Sequence, residues 1–202
     1  IASEAFTSFA STLKTLELDS NRLTHIPSGI FSGMRSLESL ILSNNNLASI
    51  PDFLKIPVQN SLSDVFLDNN KINSSQNSLS RLTSLEKLTL YGNQLITIPS
   101  FSNAQGNLKE LYLQQNKITS IVEADFDKLS LKKLHLGDNS ITSLMPLLSL
   151  NRSLETLYFS GNNLASFSAE KMLEFLTKMS KVSVLDVSST GLSSFPDASS
   201  LK

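Results

Sequence analysis

One pattern recurs eight times along this 202-residue chain and constrains it more than any other feature: apolar, two residues, apolar, one residue, apolar, two residues, Asn, one residue, apolar. It runs through Leu13, Leu16, Leu18, Asn21, Leu23, then Leu37, Leu40, Leu42, Asn45, Leu47, then Leu62, Val65, Leu67, Asn70, Ile72. It continues through Leu85, Leu88, Leu90, Asn93, Leu95, then Leu108, Leu111, Leu113, Asn116, Ile118, then Leu131, Leu134, Leu136, Asn139, Ile141. Leu154, Leu157, Phe159, Asn162, Leu164 form the seventh copy; in the eighth, Val182, Leu185, Val187, Thr190, Leu192, a Thr replaces the Asn. The starts at 13, 37, 62, 85, 108, 131, 154 and 182 give spacings of 24, 25, 23, 23, 23, 23 and 28 residues. A fixed period in this range is the mark of a stacked repeat architecture.

The chemistry inside one copy says how it stacks. Around the second and third apolar positions, apolar and polar residues alternate, as a strand with one buried face requires. A single such strand cannot bury its leucines, whereas neighbours about 4.8 Å apart share one continuous core. Asn suits the bend that follows, because its amide brings two donors and an acceptor to a turning backbone. Asn21, Asn45, Asn70, Asn93, Asn116, Asn139 and Asn162 are therefore expected to form a structural ladder rather than to contact ligand.

These residues resemble the leucine-rich repeat family, in particular the typical repeats of 23–25 residues in its extracellular receptor and secreted members. The resemblance implies an α/β fold: a right-handed solenoid with a concave parallel sheet and a convex side of loops, 3₁₀ turns and one short helix. It covers residues 1–202 as a single domain.

The second halves repeat as well. Ile26-Pro27 with Phe31 and Met34 is echoed by Ile50-Pro51 with Phe53, by Ile98-Pro99 with Phe101, and, without the Pro, by Ile121 with Phe126 and Leu129. Proline fixes an extended corner and lacks a ladder donor, which places these stretches on the convex side with the phenylalanines as its buried spine. The copy that takes 28 residues differs: Met172, Leu173, Phe175, Leu176 and Met179 fall at helical spacing within Glu170–Met179, with Ser168 placed to cap them. Ile1, Phe6 and Phe9 match the spacing of Ile26, Phe31 and Met34, and Phe195-Pro196 matches the start of another copy, so partial repeats are expected at both ends of a fragment of a longer protein.

Composition removes several classes of function. Without cysteine there is neither a disulfide frame nor a thiolate site. The 17 Lys and Arg against 18 Asp and Glu are dispersed, so no basic stripe suggests nucleic acid. No apolar run reaches the roughly 20 residues of a membrane span. No phosphate loop, nucleophile elbow or His-Glu-x-x-His pattern occurs, and the two histidines, His25 and His135, lie in different repeats. The expectation is no catalysis, no metal and no cofactor.

What remains informative is the set of strand residues that point away from the leucines, because equivalent positions stack into columns across the concave face. Between the two strand leucines the column reads Glu17, Ile41, Phe66, Thr89, Tyr112, His135, Tyr158, Asp186; after the second it includes Asp68, Tyr91 and Gln114; before the first it includes Lys87, Glu110 and Lys133. All three tyrosines fall in these columns. Tyr buries area while keeping a polar end, which suits it to interfaces. Ile41, Phe66, Tyr91, Lys87, Glu110, Tyr112, Lys133, His135 and Tyr158 are therefore the expected contact surface for a protein or peptide ligand. The function expected is a non-enzymatic recognition module in a receptor ectodomain or secreted protein. The rivals are a structural, self-associating extracellular assembly and an intracellular, cytoplasmic scaffold or regulatory arm of a larger protein. Two glycosylation sequons, at Asn73 and Asn151, suit a cell-surface or extracellular setting, although two is no excess over the number such a Ser- and Asn-rich chain generates by chance.

Overall fold

The computed structural model describes residues 5–51, 61–74, 79, 82–101 and 107–197. Eight short strands, β1 (Thr15–Glu17), β2 (Ser39–Ile41), β3 (Asp64–Phe66), β4 (Lys87–Thr89), β5 (Glu110–Tyr112), β6 (Lys133–His135), β7 (Thr156–Tyr158) and β8 (Val184–Asp186), form one parallel sheet in sequence order. Each is centred on the second apolar position of the repeat. Register carries no offset: Leu16, Leu40, Val65, Leu88, Leu111, Leu134, Leu157 and Leu185 are direct neighbours along one row. From β2 to β7 this row is buried, while both flanking residues of nearly every strand reach the opposite face. A three-residue strand has little stability of its own; the stack supplies it.

The asparagines hold successive turns together through a repeating set of bonds. Nδ2 of Asn93 donates to the carbonyls of Leu67, Leu90 and Tyr91 at 3.0, 3.0 and 3.2 Å, and its Oδ1 accepts the Ile72 N–H at 3.0 Å. Asn45, Asn70, Asn116, Asn139 and Asn162 likewise accept the amide of Leu23, Leu47, Leu95, Ile118 and Ile141 in the preceding repeat. Among the described residues Asn21 binds within its own turn, to the carbonyls of Leu18 and Asp19. The residue before each of these positions adopts a left-handed conformation: Ser20, Asn44, Asn69, Gln115, Asp138 and Ser189 at φ between 52° and 55°, and Gly92 and Gly161 at 65° and 68°. That single kink turns the chain out of every strand.

The convex side is built as the spacing predicts, with local differences. Phe31, Met34, Phe101 and Phe126 are buried, and short 3₁₀ turns cover Ser28–Phe31, Glu123–Asp125 and Met145–Leu150. The one α-helix among the described residues, α1 (Ala169–Lys178), occupies the extra length of the 28-residue repeat. The Ser168 hydroxyl caps it, accepting the Lys171 N–H at 3.3 Å, and Met172, Phe175 and Met179 enter the core while Leu173 and Leu176 stay half-buried. Ile1 and Phe53 lie outside the described residues. Phe9 departs from its expected match to the buried Met34: it is 45% exposed and meets Phe6 edge to face, and the small Ala10 turns into the core in its stead, against Gly33.

Candidate functional site

Zero-offset register brings side chains of one column face to face on the concave surface. Tyr112, His135 and Tyr158 occupy adjacent strands β5, β6 and β7. Their rings stack, with centroids 4.6 Å apart for Tyr112 and His135 and 4.2 Å for His135 and Tyr158, both pairs tilted by 30°. The imidazole is thus held between two phenol faces. Burial in this stack, with Lys133 nearby, moves the His135 pKa below its ordinary value, so the ring is neutral at neutral pH.

A charged pair borders the stack. Lys87 Nζ sits 5.6 Å from the ring centres of both Phe66 and Tyr112 and 3.6 Å from Glu110 Oε2. The Tyr112 hydroxyl donates to the same oxygen at 2.8 Å. That hydrogen bond holds the Glu110 carboxyl below the usual range, whereas burial and the adjacent carboxylate push the Tyr112 phenol up to about 12. Lys133, which follows Glu110 in the same column, makes no ion pair within 4 Å among the described residues.

The structure divides the nine residues that the columns nominated. Phe66, Lys87, Glu110, Tyr112, His135 and Tyr158 form one connected group spanning β3 to β7. Ile41 stands beside Phe66 by register. Tyr91 is drawn away to a second, polar group, where Asn69 Nδ2 lies 3.5 Å from its hydroxyl, and burial followed by the charge of Asp68 raises its pKa. Asp68 organises that group. It is 6% exposed, and its Oδ1 accepts from Ser43 Oγ at 2.8 Å and Thr89 Oγ1 at 2.6 Å. Column reading alone did not nominate Ser43, Asp68 or Thr89; the signal was an acid with hydroxyl residues at flanking positions of both neighbouring strands. Gln114 Oε1 and His135 Nε2 are shielded from solvent and have no hydrogen-bond partner in the described structure.

The other sequence candidates sit elsewhere. Asn73 is exposed after β3, and the half-buried Asn151 closes the Met145–Leu150 turn, donating its N–H to the Leu148 carbonyl. His25 lies in an exposed loop far along the chain from His135. Asp125 is half-buried: its Oδ2 accepts the Val122 N–H at 2.8 Å and so closes the Glu123–Asp125 turn. Among the described residues no group of three or more His, Asp or Glu converges as a metal site, and no helix is long and apolar enough to cross a membrane.

Comparison with known proteins agrees with this architecture. The family profile described as leucine rich repeat matches residues 11–57 and 99–141. Podocan-like protein 1 of Mus musculus is 36% identical over 90 residues, which cover 43% of this chain and 15% of that protein. Tsukushi of Gallus gallus is 33% identical over 125 residues, covering 48% of this chain and 32% of that one. The chain therefore spans less than a third of the length of these curated relatives. Among solved structures, an internalin C2 from Listeria monocytogenes superposes over 96% of this chain and 78% of its own, with a TM-score of 0.74 at 23% identity. An LRR protein from Leptospira interrogans superposes over 91% of this chain and 50% of its own, with a TM-score of 0.67 at 26% identity.

Proposed function

The chain belongs to the leucine-rich repeat family, and on that premise we propose that it is a non-enzymatic recognition module that binds a protein or peptide on its concave face, at the cell surface or after secretion. The observation that carries this reading is the connected group of Phe66, Lys87, Tyr112, His135 and Tyr158 on the exposed face of the sheet. Aromatic side chains held rigid by their neighbours lose little entropy when a partner covers them, which is what a binding hot spot requires. Eight strands about 4.8 Å apart give a surface roughly 34 Å long, enough for an extended peptide or a protein edge.

The test uses peptides selected from a random library on the wild-type chain. Binders are then measured on the Phe66→Ala, Tyr112→Ala, Tyr158→Ala triple variant, with its fold checked by urea denaturation. These half-buried concave residues contribute little to the leucine core, so the variant is expected to stay folded and to bind at least tenfold more weakly. Selected peptides that bind wild type and variant equally would overturn the reading. The proposed location is checked separately: glycopeptide mapping of material from the natural source is expected to find a glycan on Asn73.

A further inference from the structure

Of the rings in the aromatic group, His135 alone changes charge near neutral pH. Its surroundings suit one charge state. Tyr112 covers one face of the imidazole and Tyr158 the other, with centroids 4.6 and 4.2 Å away. Nε2 is shielded from solvent there and has no hydrogen-bond partner in the described structure. A neutral imidazole carries a single N–H, so its second nitrogen can be left bare as an acceptor. An imidazolium donates from both nitrogens, which would leave a buried N–H with nothing to accept it.

The neighbouring groups do not compensate for that loss. Lys133, two residues earlier on β6, opposes a second cation. Glu110 on β5 favours one, but its carboxylate already accepts the Tyr112 hydroxyl at 2.8 Å and lies 3.6 Å from Lys87. The strand β7 brings Tyr158 and no charged residue along Thr156–Tyr158. The shielded acceptor Gln114 Oε1 is likewise without a partner, so no bond joins it to Nε2. Protonation therefore requires the imidazole to turn out of the stack, which parts Tyr112 from Tyr158. A partner lying across the rings does the opposite: it holds the stack closed and removes the remaining water from the imidazole.

Building on the concave-face reading, we propose that His135 makes that face a pH-released binding site: a partner is held across Tyr112, His135 and Tyr158 while the imidazole is neutral and let go when it is protonated. Binding and protonation compete, and each weakens the other by the same factor. A proton that the complex excludes must leave before the partner can settle. Affinity is thus constant where His135 of the free chain is neutral. As pH drops through the titration of that residue, affinity falls toward a limit of about tenfold per pH unit.

The test uses the full chain and peptides selected on it at pH 7.5 from a random library without Asp, Glu or His, their ends blocked, so that no peptide group titrates in the range scanned. Dissociation constants are measured from pH 7.5 to 4.5. In parallel, the His135 Cε1–H resonance, told from that of His25 by a His25→Gln variant, is titrated in the free and the peptide-saturated chain. Affinity is expected to be level above pH 6.5 and to weaken below it, with His135 titrating at lower pH in the complex than in the free chain. His135→Phe, a ring that takes up no proton, is expected to bind with an affinity that no longer follows pH. Acid weakening that survives His135→Phe, affinity that tightens or stays level on acidification, or a His135 resonance that titrates at the same pH with and without peptide would overturn the proposal. Peptides lost in the concave triple variant yet indifferent to pH would discard the pH release and keep the recognition face. Peptides that ignore the triple variant would overturn the concave reading and the pH release with it.

Discussion

Thr190 accepts the amide proton of Leu164 on its main-chain carbonyl at 2.7 Å, whereas Asn162 accepts the equivalent proton of Ile141 on its side chain at 2.9 Å. The eighth copy of the repeat thus keeps the link to its predecessor after losing the asparagine, and the Thr190 hydroxyl is left to make one bond, to the Val187 carbonyl at 2.7 Å. Asparagine and threonine at this position do unequal work.

The two positions should respond very differently to truncation. Asn93→Ala leaves the buried Ile72 amide and the carbonyls it served without their partner, a loss of roughly 2–4 kcal/mol given the cost of orphaned buried groups. Thr190→Ala removes one hydroxyl bond and should cost about 1 kcal/mol. Urea denaturation of both variants measures the difference; equal losses would show that the ladder is not what ties the turns together.

Gly92 offers a test of the kink that leaves each strand. At φ 65°, a Cβ there would lie 2.4 Å from Asn69 Oδ1. Gly92→Ala is expected to lower stability by about 1–2 kcal/mol, the usual penalty for an ordinary residue in left-handed geometry. Gly137→Ala, where φ is not positive and the nearest atoms are 3.2 Å away, should cost less. Thermal melts that ranked the two in the opposite order would contradict the strain argument.

Much of this was legible in the sequence because the repeat is redundant. One copy of Leu-x-x-Leu-x-Leu-x-x-Asn is ambiguous, but eight in step can be satisfied only if equivalent residues stack, so strand centres, ladder and columns followed directly. The capped helix at residues 169–178 was readable for a similar local reason: its apolar residues follow helical spacing and a serine precedes them. What periodicity could not supply was the choice of partner within a column. Tyr91 and Tyr112 read alike in sequence, yet the first turns to Asp68 and the second to Glu110 and His135. Those choices depend on rotamers and on which acid lies within reach: Glu110 two residues before Tyr112 on its own strand, Asp68 level with Tyr91 in the preceding repeat. Phe9 was misjudged because spacing was matched residue for residue, whereas the turn it occupies brings Ala10 inward.

Alkaline titration should single out Tyr112. An unfolded tyrosine loses its proton near pH 10, and folded Tyr112 keeps its own until about 12 because of burial and the Glu110 carboxylate. The folded state holds the extra proton in that window, so stability falls as pH rises from 10 through 12. Ultraviolet phenolate absorbance should show a component ionising near pH 12 that is lost in Tyr112→Phe. A late component that survives Tyr112→Phe unchanged would refute the assignment.

On the acid side the sign reverses for His135. Its folded pKa lies below the unfolded value near 6.5, so the unfolded chain takes up a proton first. Stability from this group is complete above pH 6.5 and declines as pH falls through the folded pKa, below which it is constant. Melts of the wild type and of His135→Gln between pH 7 and 5 should converge on this account. A His135 resonance titrating above 6.5 would mean that the two phenol faces favour the imidazolium more than burial opposes it.

The absence of any offset between strands sets a metric that a crossing ligand must obey. Rows of the sheet recur about every 4.8 Å, whereas side chains on one edge of an extended peptide recur about every 6.8 Å, so the two scales come back into step only after three rows and four peptide residues, near 14 Å. Tyr112 and Asp186, like Ile41 and Tyr112, stand three rows apart. An extended ligand laid across this face is therefore gripped as by a vernier, at every fourth residue, with the residues between free to vary.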